Sequence, residues 1–299
     1  MSETTTPTAG PTGAIHDIGY RHYDGPRLGA AYIARSLYVD TLRGAFGLGR
    51  SAKSKIMPFV LLGVMVIPAV TIGIVTGYFG FAELPLGYTR YSFTMQVVIT
   101  IFLGSQAPAA MSRDLRFRVA PLYFSRPLSR QQYVQAKFAG MSTALFILVG
   151  LPITLLFLSA LLADLTLEDQ LPDYLRAMGG AVILALVLAG IGLVVAAMTP
   201  RRGLGVAAVV GVLLVLSGIQ VTVRAMAEEF GSDTFAGYAG LLSPFTLIDG
   251  IQAGPLGADS VMGTPPEGAA MATVFCLVAV GLVAGAYAVL LVRYRKALS

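Results

Sequence analysis

Six stretches without a charged side chain dominate this sequence: residues 56–82, 91–112, 138–163, 177–200, 203–223 and 268–292. The shortest is 21 residues long, and an apolar helix needs about 20 to cross a ~30 Å hydrocarbon core. Inside lipid, backbone N–H and C=O groups find no water, so each stretch must satisfy its own polar groups, as an α-helix does. The expected fold is therefore an all-α membrane protein with six transmembrane helices. Only Arg201 and Arg202 separate the fourth and fifth stretches, so these two helices form a tight hairpin. Composition agrees: 12% of residues are charged and the mean hydropathy is +0.74, against roughly 25% charge in soluble domains.

Basic residues set the expected orientation. With the N-terminus inside, the inner segments hold 18 of the 21 Lys and Arg, leaving only Arg90, Arg176 and Arg224 outside. The positive-inside rule predicts that arrangement, with both termini cytoplasmic in a multi-pass protein of the cell membrane. The net charge of +5 is then a topology signal and implies no nucleic-acid partner, which would need a basic face on a soluble fold. Cys276 is the single cysteine and His16 and His22 the only histidines, so neither an internal disulfide nor a metal cluster is expected.

Three regions follow. Residues 1–25 read as a disordered, turn-rich cytoplasmic tail, with no secretory signal expected. Residues 26–55 read as an amphipathic leader. Leu28, Tyr32, Val39, Leu42 and Phe46 fall on one helical side, as in a helix lying in the inner membrane interface. A solvated basic leader is the alternative. Residues 56–299 form the six-span domain. Between spans five and six, Ser243 and Pro244 give a helix start and Gly254 a stop. The enclosed segment, with Phe245, Ile248 and Ile251 near one face, is too short to cross. It is expected to lie at the outer interface or to re-enter partway, with a plain surface helix as the alternative. Gly73/Gly77 and Gly281/Gly285 match the small-xxx-small packing pattern, but among 34 glycines such matches carry little weight.

The segment that breaks the pattern is 113–130, RDLRFRVAPLYFSRPLSR, with five arginines in eighteen positions between two charge-free stretches. Pro121 and Pro127 limit its helices to short pieces. Ser129-Arg130-Gln131-Gln132 reads as a capping box opening the third span. The arginines alone suit a topology anchor. An anchor does not need Phe117, Tyr123 and Phe124, and aromatics beside arginine are enriched at protein–protein hot spots. A docking surface for a cytosolic partner is the favoured reading.

SRDLRFRVAPLYFSRPLSRQQYVQAK, directly after a second span, resembles the coupling segment of permeases in the type-2 ATP-binding-cassette exporter family. The Ser125-Arg126-Pro127-Leu128-Ser129-Arg130 turn and Tyr133-Val134-Gln135-Ala136-Lys137 carry the likeness; many relatives have Gly where Ala136 stands. The leader, the six spans and the long outer segment match as well. The resemblance implies a permease dimer, of identical or related copies, in which a coupling loop (113–137) inserts into separate ATPase subunits. The implied docking residues are Arg113, Asp114, Leu115, Arg116, Phe117, Arg118, Tyr123, Phe124, Ser125, Arg126, Pro127 and Leu128. It also implies a re-entrant helical hairpin before the last span.

The chain has no G-x-x-x-x-G-K-[ST] phosphate loop. ATP and Mg are therefore expected in a partner ATPase, and no cofactor and no bond chemistry in this chain. Ion-coupled secondary transport is the less favoured alternative, because the six stretches contain no Asp, Glu, Lys or His of the kind that couples ions. Gln96, Gln106 and Gln220 are expected to hydrogen-bond between helices. An intramembrane enzyme lacks a paired nucleophile and base. A permease delivering mechanical work to an outer partner stays open. The uncharged spans point to an apolar or amphipathic exported substrate.

Overall fold

Among the described residues the regular structure of this computed structural model is entirely helical. Those residues are 25, 28–116, 128–199, 201–262 and 268–296, without the side chains of 112–116, 202 and 296. In chain order they form α1 (Ala30–Ala45), α2 (Ala52–Phe79), α3 (Tyr88–Thr94) and α4 (Gln96–Arg116). Next come α5 (Arg130–Leu162), α6 (Leu167–Met198), α7 (Arg202–Glu229) and α8 (Asp233–Ala239). A 3₁₀ turn (Gly240–Leu242), α9 (Pro244–Ala253) and α10 (Gly268–Lys296) complete the chain.

Five helices, α2, α5, α6, α7 and α10, are long and apolar enough to cross a bilayer, and a sixth span arises if α3 and α4 are counted together. That pair is bent by 58°, where the sequence suggested one straight helix. Met95, at the break, is no helix breaker; the bend follows from anchors that hold α3 elsewhere. The Tyr91 hydroxyl donates to the Met65 carbonyl of α2, and the Tyr88 hydroxyl donates to Gln170 Oε1 of α6 at 2.7 Å. Met65 lies one turn before Pro68, whose ring interrupts the helical hydrogen-bond ladder.

Helices α5 and α6 form the centre. Their apolar stretches are 50% and 61% buried, against 22%, 17% and 17% for α2, α7 and α10. Small residues let neighbours approach α6 closely. A Cβ on Gly192 would stand 2.5 Å from a Leu103 methyl of α4, and one on Gly190 would stand 2.9 Å from Ala286 of α10. The Gly73/Gly77 pair is used in the same way, against Ser159 and Ala163 at the end of α5, while Gly281 and Gly285 face open space. One pattern match is a packing seam and the other is not.

The leader helix α1 lies across α4 and α5. Its buried face is Leu37, Thr41 and Ala45, spaced four apart. Gly140 of α5 makes the contact possible, since a Cβ there would meet Thr41 Cβ at 2.8 Å and the Tyr38 carbonyl at 3.0 Å. Of the side proposed from sequence, Leu28, Tyr32 and Val39 are exposed, Leu42 is half-buried, and Phe46 is buried beside Phe59 and Phe102. The helix therefore has one buried face against the bundle, and an outward side on which Tyr32 and Val39 alternate with Arg35 and Arg43. At its end Gly47 (φ +67°) turns the chain so tightly that a Cβ would stand 2.3 Å from the Ser54 carbonyl.

Candidate coupling site

The arginine-rich segment joins the end of α4 to the start of α5. Arg113, Asp114, Leu115 and Arg116 form the last turn of α4, which runs unbroken past the end of the charge-free stretch. Phe117, Arg118, Tyr123, Phe124, Ser125, Arg126 and Pro127 lie outside the described residues. Leu128 returns to the fold and is buried in the core at 5% exposure. Ser129 then closes the expected capping box. Its hydroxyl accepts from the Gln132 amide at 3.2 Å, and Gln132 Oε1 accepts from the Ser129 amide at 3.0 Å. Two of the orphan donors at the start of α5 are thereby satisfied.

Beneath this segment the helix ends are tied to one another. Lys137, only 5% exposed, donates from Nζ to the Ala110 carbonyl of α4 at 3.0 Å and lies over the Tyr133 ring. Tyr294, near the end of α10, packs its ring 5.0 Å from that of Tyr133 and donates to Met111 Sδ at 3.2 Å. Arg293 Nε donates to the Ala197 carbonyl at the end of α6 at 3.4 Å. Buried polar groups in this setting keep their partners, because an unpaired one costs several kcal/mol, roughly 2–7 for a hydroxyl or amide. The end of α4 and the start of α5, between which the 113–130 segment runs in sequence, are thereby tied to the end of α10. None of these ties was read from the sequence, where Tyr133 and Lys137 entered only through the family likeness.

At the opposite end of the bundle, α9 is buried on every face. Ser243 is 2%, Phe245 4%, Ile248 3% and Ile251 3% exposed, and Pro244 is buried at the first helical position. A ten-residue helix spans about 15 Å. It packs among α3, α6 and α10 and is not a surface helix. Ser243 precedes the helix without capping it by its side chain; its hydroxyl meets that of Ser217 at 3.2 Å. Close approach is again by glycine: a Cβ on Gly180 would stand 2.0 Å from Gln252 Nε2, and one on Gly250 would stand 2.2 Å from Phe275. Asp249, which sequence reading passed over, is 3% exposed. It accepts from Ser260 Oγ at 2.8 Å and the Val261 amide at 2.9 Å, folding 258–262 back over α9.

The buried glutamines depart from expectation. Gln106 donates to its own neighbour Ser105 at 3.0 Å, and Gln220 donates to Met262 Sδ at 3.5 Å in the returning loop. Gln106 instead lines a cavity of about 800 Å³ between α1, α4 and α5.

A family model described as ABC-2 family transporter protein matches residues 120–297. The match takes in the second half of the arginine-rich segment and everything from α5 through α10. A search of curated proteins finds no match. With more than half its length covered, and with a bundle of membrane-length helices, the chain belongs to the ABC-2 transporter family and is a multi-pass membrane protein of the type-2 ABC permease class.

Proposed function

We propose that this chain is the transmembrane subunit of an ABC exporter for an apolar or amphipathic solute, working as a dimer and driven by separate cytosolic ATPase subunits that dock on 113–128. The carrying observation is the root of that segment, where buried contacts of Lys137, Tyr133, Tyr294 and Met111 tie the ends of α4, α5 and α10. ATP and Mg bind the partner. Closure of the ATPase pair pushes on the coupling segment, and its rigid root passes the displacement to three helices at once. The chain's own residues supply no bond chemistry; they receive a push and reshape the path between helices.

The test separates charge from aromatic surface. Phe117→Ala, Tyr123→Ala and Phe124→Ala together leave every arginine in place, so insertion and orientation are unchanged. Each truncated hot-spot anchor costs on the order of 2 kcal/mol, and a single loss already weakens docking roughly thirtyfold. The triple variant is expected to lose its ATPase on purification, together with substrate-stimulated ATP hydrolysis. Wild-type levels of both reduce the segment to a topology anchor.

A further inference from the structure

The cavity between α1, α4 and α5 has about 800 Å³, within the range of small-molecule sites. Its outer wall is the polar face of α1, where Arg35, Asp40 and Arg43 recur about every turn, continued by Arg50 just beyond the helix. The floor is Gln106 and Ala110 of α4 with Lys137 and Met141 of α5. Arg35, Arg43 and Arg50 are exposed, and among the described residues no carboxylate is ion-paired to any of them. Arg50 is folded back onto α1: a Cβ on Gly44 would stand 3.3 Å from its Nη2, so the missing side chain leaves room for the guanidinium. Lys137 on the floor is engaged with the Ala110 carbonyl. Against the three arginines the described lining sets one carboxylate, Asp40.

We infer that this cavity binds a phosphate-bearing anion, and that its form in the membrane is the headgroup of an anionic lipid. Guanidinium forks match phosphate oxygens in geometry and charge. The same wall carries Tyr32, Val39 and Leu48, at 54%, 36% and 39% exposure. Apolar side chains beside arginines suit an amphiphile better than a free ion. The site opens beside the root of the 113–130 segment, and α1 meets α5 only one turn from Lys137. The leaflet assigned to it rests on the inside orientation of the proposed function; the binding chemistry does not. Such a lipid would brace α1 against the helices that receive the push.

Native mass spectrometry of the purified full-length chain, titrated with phosphatidylglycerol or phosphatidylcholine, tests this. Each basic residue near an anionic surface contributes about a fivefold factor. The Arg35→Gln, Arg43→Gln, Arg50→Gln variant is therefore expected to bind phosphatidylglycerol about a hundredfold more weakly. Arg90→Gln and Arg176→Gln together should change nothing, and Asp40→Asn should tighten binding several-fold. A second arm uses inorganic phosphate and thermal stability. Stabilisation by phosphate that vanishes in the cavity variant, without preference between the lipids, keeps the site and assigns it a soluble phosphate compound. Equal retention of phosphatidylglycerol by wild type and cavity variant, with no phosphate effect, overturns the site. Should the triple variant misfold, Asp40→Asn decides: unchanged binding overturns the proposal. Retention of the ATPase is read in the same preparations, so a lipid-binding chain without an ATPase sinks the docking reading and leaves this one standing.

Discussion

Asp249 shows how one side chain can hold a returning loop. Its carboxylate is 3% exposed and accepts from Ser260 Oγ, the Val261 amide and, at 3.4 Å, the Met262 amide. Met262 in turn meets Gln220 and accepts from Arg224, whose Nε is paired with Glu228 at 2.7 Å. Replacing Asp249 with Ala strands the Ser260 hydroxyl and the Val261 amide, while the Met262 amide keeps Ser260 Oγ at 3.1 Å; each buried donor left without a partner costs about 1–3 kcal/mol. The expected result is a lower melting temperature and new protease cleavage within 255–262. Asp249→Asn keeps one acceptor oxygen and should fall between the two. Wild-type melting and protease resistance in the Ala variant would mean that other contacts hold the loop. The residue escaped sequence reading because it lies outside every charge-free stretch. A charge there looks like a solvated loop residue until Ser260 and Val261 are seen to wrap it.

Among the elements, α1 makes its closest approach to the bundle at Gly140 of α5. Gly140 brings the helix axis near enough for Tyr38 OH to reach Thr143 Oγ1 at 3.2 Å. A leucine at 140 must push against the Tyr38 carbonyl, backbone that cannot rotate aside, and overpacking of this kind costs about 1–3 kcal/mol. In a Cys276→Ala background, cysteines at 38 and 143 should be joined by a short bis-maleimide, and Gly140→Leu should abolish the joining. Gly281→Leu, where a Cβ meets nothing within 4 Å, is the matched control. Crosslinking that survives Gly140→Leu means that α1 is held by other contacts. The spans themselves were legible because a charge-free run of membrane length has few alternatives to helix. Their ends were less so: a charge ends an apolar run without ending a helix. Thus α6 starts at Leu167, with Glu168 and Asp169 at the favourable, positive end of its dipole. The capping box at Ser129 was readable because it is local chemistry. The inner face of α1 was not, since Thr41 and Ala45 are weakly apolar and their burial depends on a glycine about a hundred residues away. The bend at Met95 was hidden for a similar reason, being imposed by the tyrosine anchors on α2 and α6.

For the whole molecule, the structure sorts helix ends into two groups that match the split of basic residues. Tyr294, Tyr133 and Met111 bring together the end of α10, the start of α5 and the end of α4, and Arg293 adds the end of α6. At the other end, Tyr88, Phe157 and Tyr174 cluster α3, the end of α5 and the start of α6, with Phe157 and Tyr174 stacked at 4.4 Å. The first group adjoins the basic segments 113–137, 201–202 and 293–296, and the second adjoins Glu83, Asp164, Glu168, Asp169 and Asp173. We expect the basic end to face the cytosol. Moving a positive charge outward against the membrane potential costs about 2.3 kcal/mol per 100 mV, and the inside orientation leaves only three basic residues on the far side. Two exposed positions report the outcome without disturbing a cap or a buried contact: Glu83 in the α2–α3 connection and Gly203 at the start of α7, where a Cβ meets open space. In a Cys276→Ala background, an impermeant maleimide added to intact cells should label Glu83→Cys and spare Gly203→Cys until the membrane is permeabilised. Labelling of Gly203→Cys from outside, with Glu83→Cys protected, reverses the molecule. The arginine-rich segment lies at the same end as Gly203, so a reversed molecule could not meet a cytosolic ATPase through it.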